Sequence, residues 1–126
     1  MIGIDIVSIK RFEKFLEKFP ERALKRYLNS DEISLCGTST NTAAGFFAAK
    51  ESVSKALGVG ISKECTFADI IIHKDDKNAP YFTLSLKIIK KYQITDTALS
   101  ITHDGGFAIA VAKIESKREN KTPICH

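Results

Sequence analysis

Three cysteines are all the chain has, Cys36, Cys65 and Cys125. They form no CxxC pair and no metal-ligand spacing, and their odd number argues against a disulfide framework, so a cytoplasmic location is expected. No apolar stretch is long enough to span a bilayer, and the opening run "MIGIDIVSIKRFEKF" sets Asp5 inside its only apolar segment with no cleavage-type sequence, so neither a membrane anchor nor a signal peptide is expected. Repeats, low-complexity tracts and an internal linker are missing as well. That leaves 126 residues as one domain, large enough to bury a core without disulfide or metal staples. Neither GxGxxG nor a P-loop pattern occurs, which removes the usual nucleotide folds. Charge is present but modest: a net +4 and a pI near 9.0 favour an acidic partner or a phosphate-rich ligand without choosing between them. A small nucleic-acid-binding module is the alternative on charge alone. Its strands would need interleaved aromatic and basic residues, which are absent, so no nucleic-acid partner is expected. A non-catalytic adaptor is the third reading.

What is present falls into clear segments. "IGIDIV", residues 2–7, alternates β-branched residues, with Ile2, Ile4 and Ile6 on one face and Gly3, Asp5 and Val7 on the other, which predicts a strand. Ser8 is placed to cap a helix striped by Ile9, Phe12, Leu16 and Phe19 and ended by Pro20. "PERALKRYLNSDEISLCG" predicts two short helices stopped by Gly37, and "TSTNT" a loop capping a longer helix over residues 43–58. "FADIIIHK" and "PYFTL" predict two strands around a turn, "SLKIIKKY" a helix, and "ALSITHDGGFAIAVAKI" a hairpin with an Asp-Gly turn. The fold class expected is α+β, an antiparallel sheet packed with helices, in a single domain over residues 1–114 with a frayed polar tail over 115–126.

The helix "AAGFFAAKESVSKALG" carries an oddity. Phe46, Ala49, Val53, Ala56 and Leu57 share a core-facing side, whereas Glu51 and Lys55 share the other with Ala44 and Ala48, which are too small to shield a charge. As an ordinary exposed i,i+4 pair, Glu51 and Lys55 would be worth ~0.3 kcal/mol. Asp5 lies mid-strand, where Asp is disfavoured, so it either faces water on an edge strand or is held there for a ligand. His103 ends a strand beside a turn, where a solvated or backbone-bonded histidine is the usual case. Brought together, these residues would hold a hard cation through carboxylate oxygens and leave cationic groups for its phosphate ligand.

Three stretches, "GIDIVSIKRF", "FAAKESVSKALGVGI" and "SITHDGGFAIAVA", in that order and at that spacing, resemble the holo-[acyl-carrier-protein] synthases, the short bacterial class of 4'-phosphopantetheinyl transferases. The resemblance reaches to about Ile114. It implies transfer of phosphopantetheine from coenzyme A to a serine of apo acyl carrier protein, with release of adenosine 3',5'-bisphosphate. It further implies Mg²⁺ held by Asp5 and Glu51, with Glu51 taking the serine proton directly or through a water. Lys55 and His103 are then expected at the coenzyme phosphates, His103 counting with Asp5 and Glu51 among the catalytic residues, with Lys50 and Ser54 as further coenzyme-binding candidates and Gly58 and Gly60 bringing backbone amides close to the ligand. The small residues around Glu51 would leave room for it. Lys10, Arg11, Lys14, Arg22 and Arg26 would dock the acidic carrier protein, Arg11 foremost. A homotrimer with active sites between subunits is implied as well. Two positions differ from the family pattern: Phe46 stands where relatives often have Arg, and Asn78-Ala79 where they have Gly-Lys before the hairpin proline.

Overall fold

The computed structural model describes residues 1–117. Its elements run β1 (Ile2–Ser8), α1 (Ile9–Lys18), α2 (Arg22–Lys25), α3 (Ser30–Cys36), α4 (Thr40–Ala56), a 3₁₀ turn (Phe67–Asp69), β2 (Ile70–Lys74), β3 (Pro80–Leu84), α5 (Leu86–Tyr92), β4 (Ile94–Asp104) and β5 (Phe107–Ser116). Both sheets are antiparallel: β1-β5-β4, and a separate two-stranded ribbon β2-β3. The α+β class is as expected. Among the described residues no helix is long and apolar enough to cross a membrane.

Helix α4 lies against the β1-β5-β4 sheet, and small residues let it come close. A Cβ on Gly3 would sit 1.8 Å from the Ser52 carbonyl oxygen, so β1 touches the helix backbone directly. On β5, Ala108, Ala110, Ala112 and Ile114 alternate inward and are all buried. They meet a helix whose Ala43, Ala44, Ala48 and Ala49 are also buried. Ala44 and Ala48 therefore do not border a cleft, contrary to the sequence reading. The helix is enclosed by the sheet on one side and by α1, α3 and β2 on others, so its neutral residues have little surface to line.

Caps explain the boundaries. Ser8 accepts from the Arg11 amide at 3.3 Å to start α1, and Ser39 accepts from Thr42 at 3.1 Å to start α4. α4 therefore begins at Thr40, inside the stretch expected to be loop. Phe12 is the buried residue of α1, with Ile9, Phe15 and Leu16 packed beside it, while Phe19 stays exposed at the C-terminal end. The hairpin loop is Gly105-Gly106, at φ +57° and +84°, and Asp104 is still paired with Phe107. Two consecutive positive φ values are what a tight primed turn demands, so the loop is one residue later than the Asp-Gly turn expected. Strand β5 reaches Ser116, and the Lys117 amide donates to the Gln93 carbonyl at 3.1 Å. The domain thus extends past Ile114; the rest of the expected tail, residues 118–126, lies outside the described residues.

Candidate active site

Two groups of the expected residues form, at different places. The first lies where α4 passes over β1. Because Gly3 has no side chain there, Glu51 and Lys55 are brought beside Asp5. The Lys55 ammonium donates to Asp5 Oδ1 at 2.8 Å and to the Ile4 carbonyl at 3.2 Å, so its partner is the strand aspartate and not Glu51 one turn earlier. Burial, then the Asp5 charge, push the Glu51 carboxyl above its ordinary range, with Lys55 pulling the other way. The cluster thus holds two carboxylates for one ammonium. The Glu51 side chain is half-buried, and its carboxylate accepts no hydrogen bond from any described residue, an arrangement that a bound dication would relieve. Among the described residues no third His, Cys, Asp or Glu joins them. A metal here would have to complete its oxygen shell from water or substrate, as Mg²⁺ commonly does at phosphate-transfer sites.

The second group lies across the sheet. His103 donates through Nε2 to the Asn41 carbonyl at 2.8 Å, over the first turns of α4. Gly45 makes this possible: a Cβ there would sit 3.2 Å from His103 Nε2 and 3.0 Å from Ile101 Cγ2. A cavity of about 150 Å³ opens beside His103, lined by Thr42, Phe46, Lys74, Asn78, Pro80 and Ile101. The Lys74 ammonium stands 5.9 Å from the centre of the Phe46 ring. Strand β5 separates β4 from β1, and residues 45 and 51–55 are roughly 9–15 Å apart along α4 at 1.5 Å per residue. Within one chain His103 therefore does not join Asp5 and Glu51. Lys74 and Asn78 were missed by the sequence reading, although the departure at Asn78-Ala79 marked the segment. Asn78 adopts φ +68° in the turn between β2 and β3.

Several expected ligand contacts are corrected. Lys50 points into the core, 1% exposed, donating to Glu32 Oε1 at 3.0 Å and to the Phe67 carbonyl at 3.1 Å. Burial lowers its pKa, the Glu32 carboxylate opposing. Ser54 is fully buried, its hydroxyl donating to the Glu51 carbonyl at 2.7 Å. Gly58 and Gly60 adopt φ +80° and +64°, which only glycine holds readily, but their amides already donate to the Lys55 and Ser54 carbonyls. They close α4 and leave open space beside it, without offering free N–H groups. Lys10, Arg11, Lys14, Arg22 and Arg26 are all exposed. Phe19, Arg22, Lys25 and Arg26 line an open surface groove.

The domain thus carries an acidic pair toward one end of its central helix and a cavity bordered by Lys74 and His103 toward the other. The model of the 4'-phosphopantetheinyl transferase superfamily matches residues 1–112, and the chain belongs to that family. Among curated relatives, the holo-[acyl-carrier-protein] synthase of Nautilia profundicola is 59% identical over 110 residues, covering 87% of this chain and 95% of the relative. That of Helicobacter pylori is 51% identical over 119 residues, covering 94% and 100%. The crystal structure of the Helicobacter pylori synthase in complex with coenzyme A superposes with a TM-score of 0.89 at 51% identity, over 91% of this chain and all of that one. The synthase from Neisseria meningitidis gives 0.83 at 31% identity, over 91% and 97%.

Proposed function

We propose that this chain is a holo-[acyl-carrier-protein] synthase, moving 4'-phosphopantetheine from coenzyme A onto a serine of apo acyl carrier protein. The observation that carries the reading is the Asp5–Glu51–Lys55 cluster, seated on motif residues in a chain that matches the family over most of its length. The serine oxygen attacks the phosphorus nearer the pantetheine, a new P–O bond forms, and the bond to the leaving adenosine 3',5'-bisphosphate breaks. Asp5 and Glu51 would hold Mg²⁺, which when bound would supply charge neutralisation for the phosphoryl and leaving-group oxygens. Glu51 accepts the serine proton directly or through a water. Lys55 and His103 supply donors and countercharge to the coenzyme phosphates, and Lys74, beside His103, adds a second cation there. Incubating the protein with apo carrier, coenzyme A and Mg²⁺ should add one phosphopantetheine mass to the carrier; an unmodified carrier would refute the reading.

The division of the site between two ends of α4 supports a homotrimer with active sites between subunits, since a neighbouring copy would supply the half that one chain holds apart. The outer face of the β1-β5-β4 sheet supports it too. Ile2, Ile4 and Ile6 are 71%, 58% and 58% exposed, with Val111 paired to Ile4 in the next strand, a continuous apolar surface that a second copy would cover. The cytoplasm remains the proposed location.

Lys55→Ala tests the coenzyme side. A charge-assisted contact to phosphate is worth ~1.5–3 kcal/mol, so kcat/KM for coenzyme A should fall roughly 10- to 150-fold. Normal kinetics would return Lys55 to the role of Asp5's surface partner. Lys10, Arg11, Lys14, Arg22 and Arg26 form the proposed carrier-docking face, with Phe19 as its apolar anchor. Arg11→Glu should raise the carrier KM about tenfold while leaving coenzyme binding alone, and added salt should act likewise, because exposed pairs are screened beyond ~8 Å at physiological ionic strength. An unchanged carrier KM would remove Arg11 from the interface.

A further inference from the structure

Glu32 and Lys50 take no part in the transfer chemistry, yet among the described residues theirs is the least exposed ion pair, at 1% and 2%. The Glu32 carboxylate collects three donors from three segments. Oε1 accepts the Asn29 amide at 2.7 Å and the Lys50 ammonium at 3.0 Å, and Oε2 accepts the Ile72 amide at 2.8 Å. Lys50 donates onward to the Phe67 carbonyl, in the turn leading into β2. One carboxylate therefore fastens the start of α3, the middle of α4 and the outer edge of β2, across 40 residues of sequence in the case of Ile72.

The β2-β3 ribbon is the element in need of fastening. It shares no ladder with the main sheet, and a two-stranded ribbon is marginal on its own. Beyond Ile72 it carries Lys74, Asn78 and Pro80, three of the residues around the cavity beside His103. A buried ion pair is a poor source of stability compared with apolar residues of the same volume. Its value lies in direction: the three donors define one position of β2 against α4, which apolar contact alone would leave free to slide.

We propose that Glu32 and Lys50 are positioning residues, whose buried pair sets the β2-β3 ribbon against α4 and so places Lys74, Asn78 and Pro80 around the coenzyme cavity. The inference rests on the coenzyme reading of that cavity. In that reading the cavity lies apart from the Asp5–Glu51 pair, so displacing the groups around it would act on ground state and transition state alike.

The test compares wild type with Glu32→Gln/Lys50→Met, which removes both charges together and leaves no uncompensated ion, and with Lys50→Met and Lys50→Arg. In the double variant the KM for coenzyme A is expected to rise roughly 10- to 100-fold, the range of effects for outer-shell positioning groups, with kcat within about threefold of wild type. Hydrogen exchange should quicken at the amides of residues 70–74 and not in α4. Lys50→Arg should recover part of the KM lost in Lys50→Met. A wild-type KM in the double variant, a loss confined to kcat, or exchange that quickens equally throughout would overturn the proposal. So would failure of the double variant to fold, because a device that only places the ribbon is dispensable for the rest of the core. If wild type loads no carrier, the coenzyme reading fails instead, and the exchange comparison still decides whether the pair fastens the ribbon.

Discussion

Alanine at either Asp5 or Glu51 is expected to lower transfer by about a thousandfold or more. Removing a single preorganised donor to a developing charge lowers kcat by 10²–10³, and a carboxylate that holds the charge-neutralising cation should matter at least as much. The fold should survive. Asp5 is mostly covered, its side chain 15% exposed where β1 faces α4, and Glu51 is half-buried, but both lie in the polar cluster with Lys55 and neither fills apolar core volume. Near-normal turnover of both variants at limiting Mg²⁺ would dismiss the acidic pair as the metal site. The electrostatics add a second, independent signature. Glu51 sits in a partly desolvated place next to another carboxylate, so its charge works against folding at neutral pH, and Glu51→Gln should raise the melting temperature in metal-free buffer even as it removes activity. Adding Mg²⁺ should narrow that gap, because only the wild type gains stability by binding it. A Glu51→Gln variant that melts lower than wild type without metal would mean that the carboxylate supports the fold.

How much of this was legible beforehand follows from where periodicity carries information. The strand over residues 2–7, the Ser8 cap, the core side of α4 and the closing hairpin all depend on local pattern, and local pattern predicts them. What is set by tertiary contact was hidden. Lys50 and Glu51 are adjacent in sequence, and nothing in the sequence says that one points to a buried carboxylate 18 residues earlier while the other points to β1. Lys55 had an apparent partner four residues back, but the absent Cβ of Gly3 lets α4 settle so low on β1 that Asp5 takes its place. Ala44 and Ala48 read as the floor of a cleft because a one-dimensional pattern cannot show a sheet covering that stripe. Family resemblance supplied the candidate residues; only the strand order shows that Asp5 and Glu51 stand apart from His103.

That division makes a result available that no single-chain site would give. Asp5→Ala and His103→Ala each damage one half, and each homogeneous preparation should be poorly active, His103→Ala by roughly 10- to 100-fold for a lost phosphate contact. Unfolding the two variants together and refolding them as a 1:1 mixture redistributes the subunits. If each site takes its Asp5 half from one copy and its His103 half from the next around a closed ring, random assembly leaves about a quarter of the sites intact in both halves. Activity should therefore climb to roughly a quarter of wild type, well above either parent refolded alone. If instead both halves act within one chain, every site in the mixture carries one lesion, and activity stays at the average of the parents. Ile4→Glu places a charge in the exposed isoleucine row of β1, at a position paired with Val111. It should dissociate the assembly and abolish the recovery, while a lone chain keeps its Asp5–Lys55 contact and its fold. Recovery that persists in the dissociated variant would mean that the two halves meet by some route other than the bare face of the sheet.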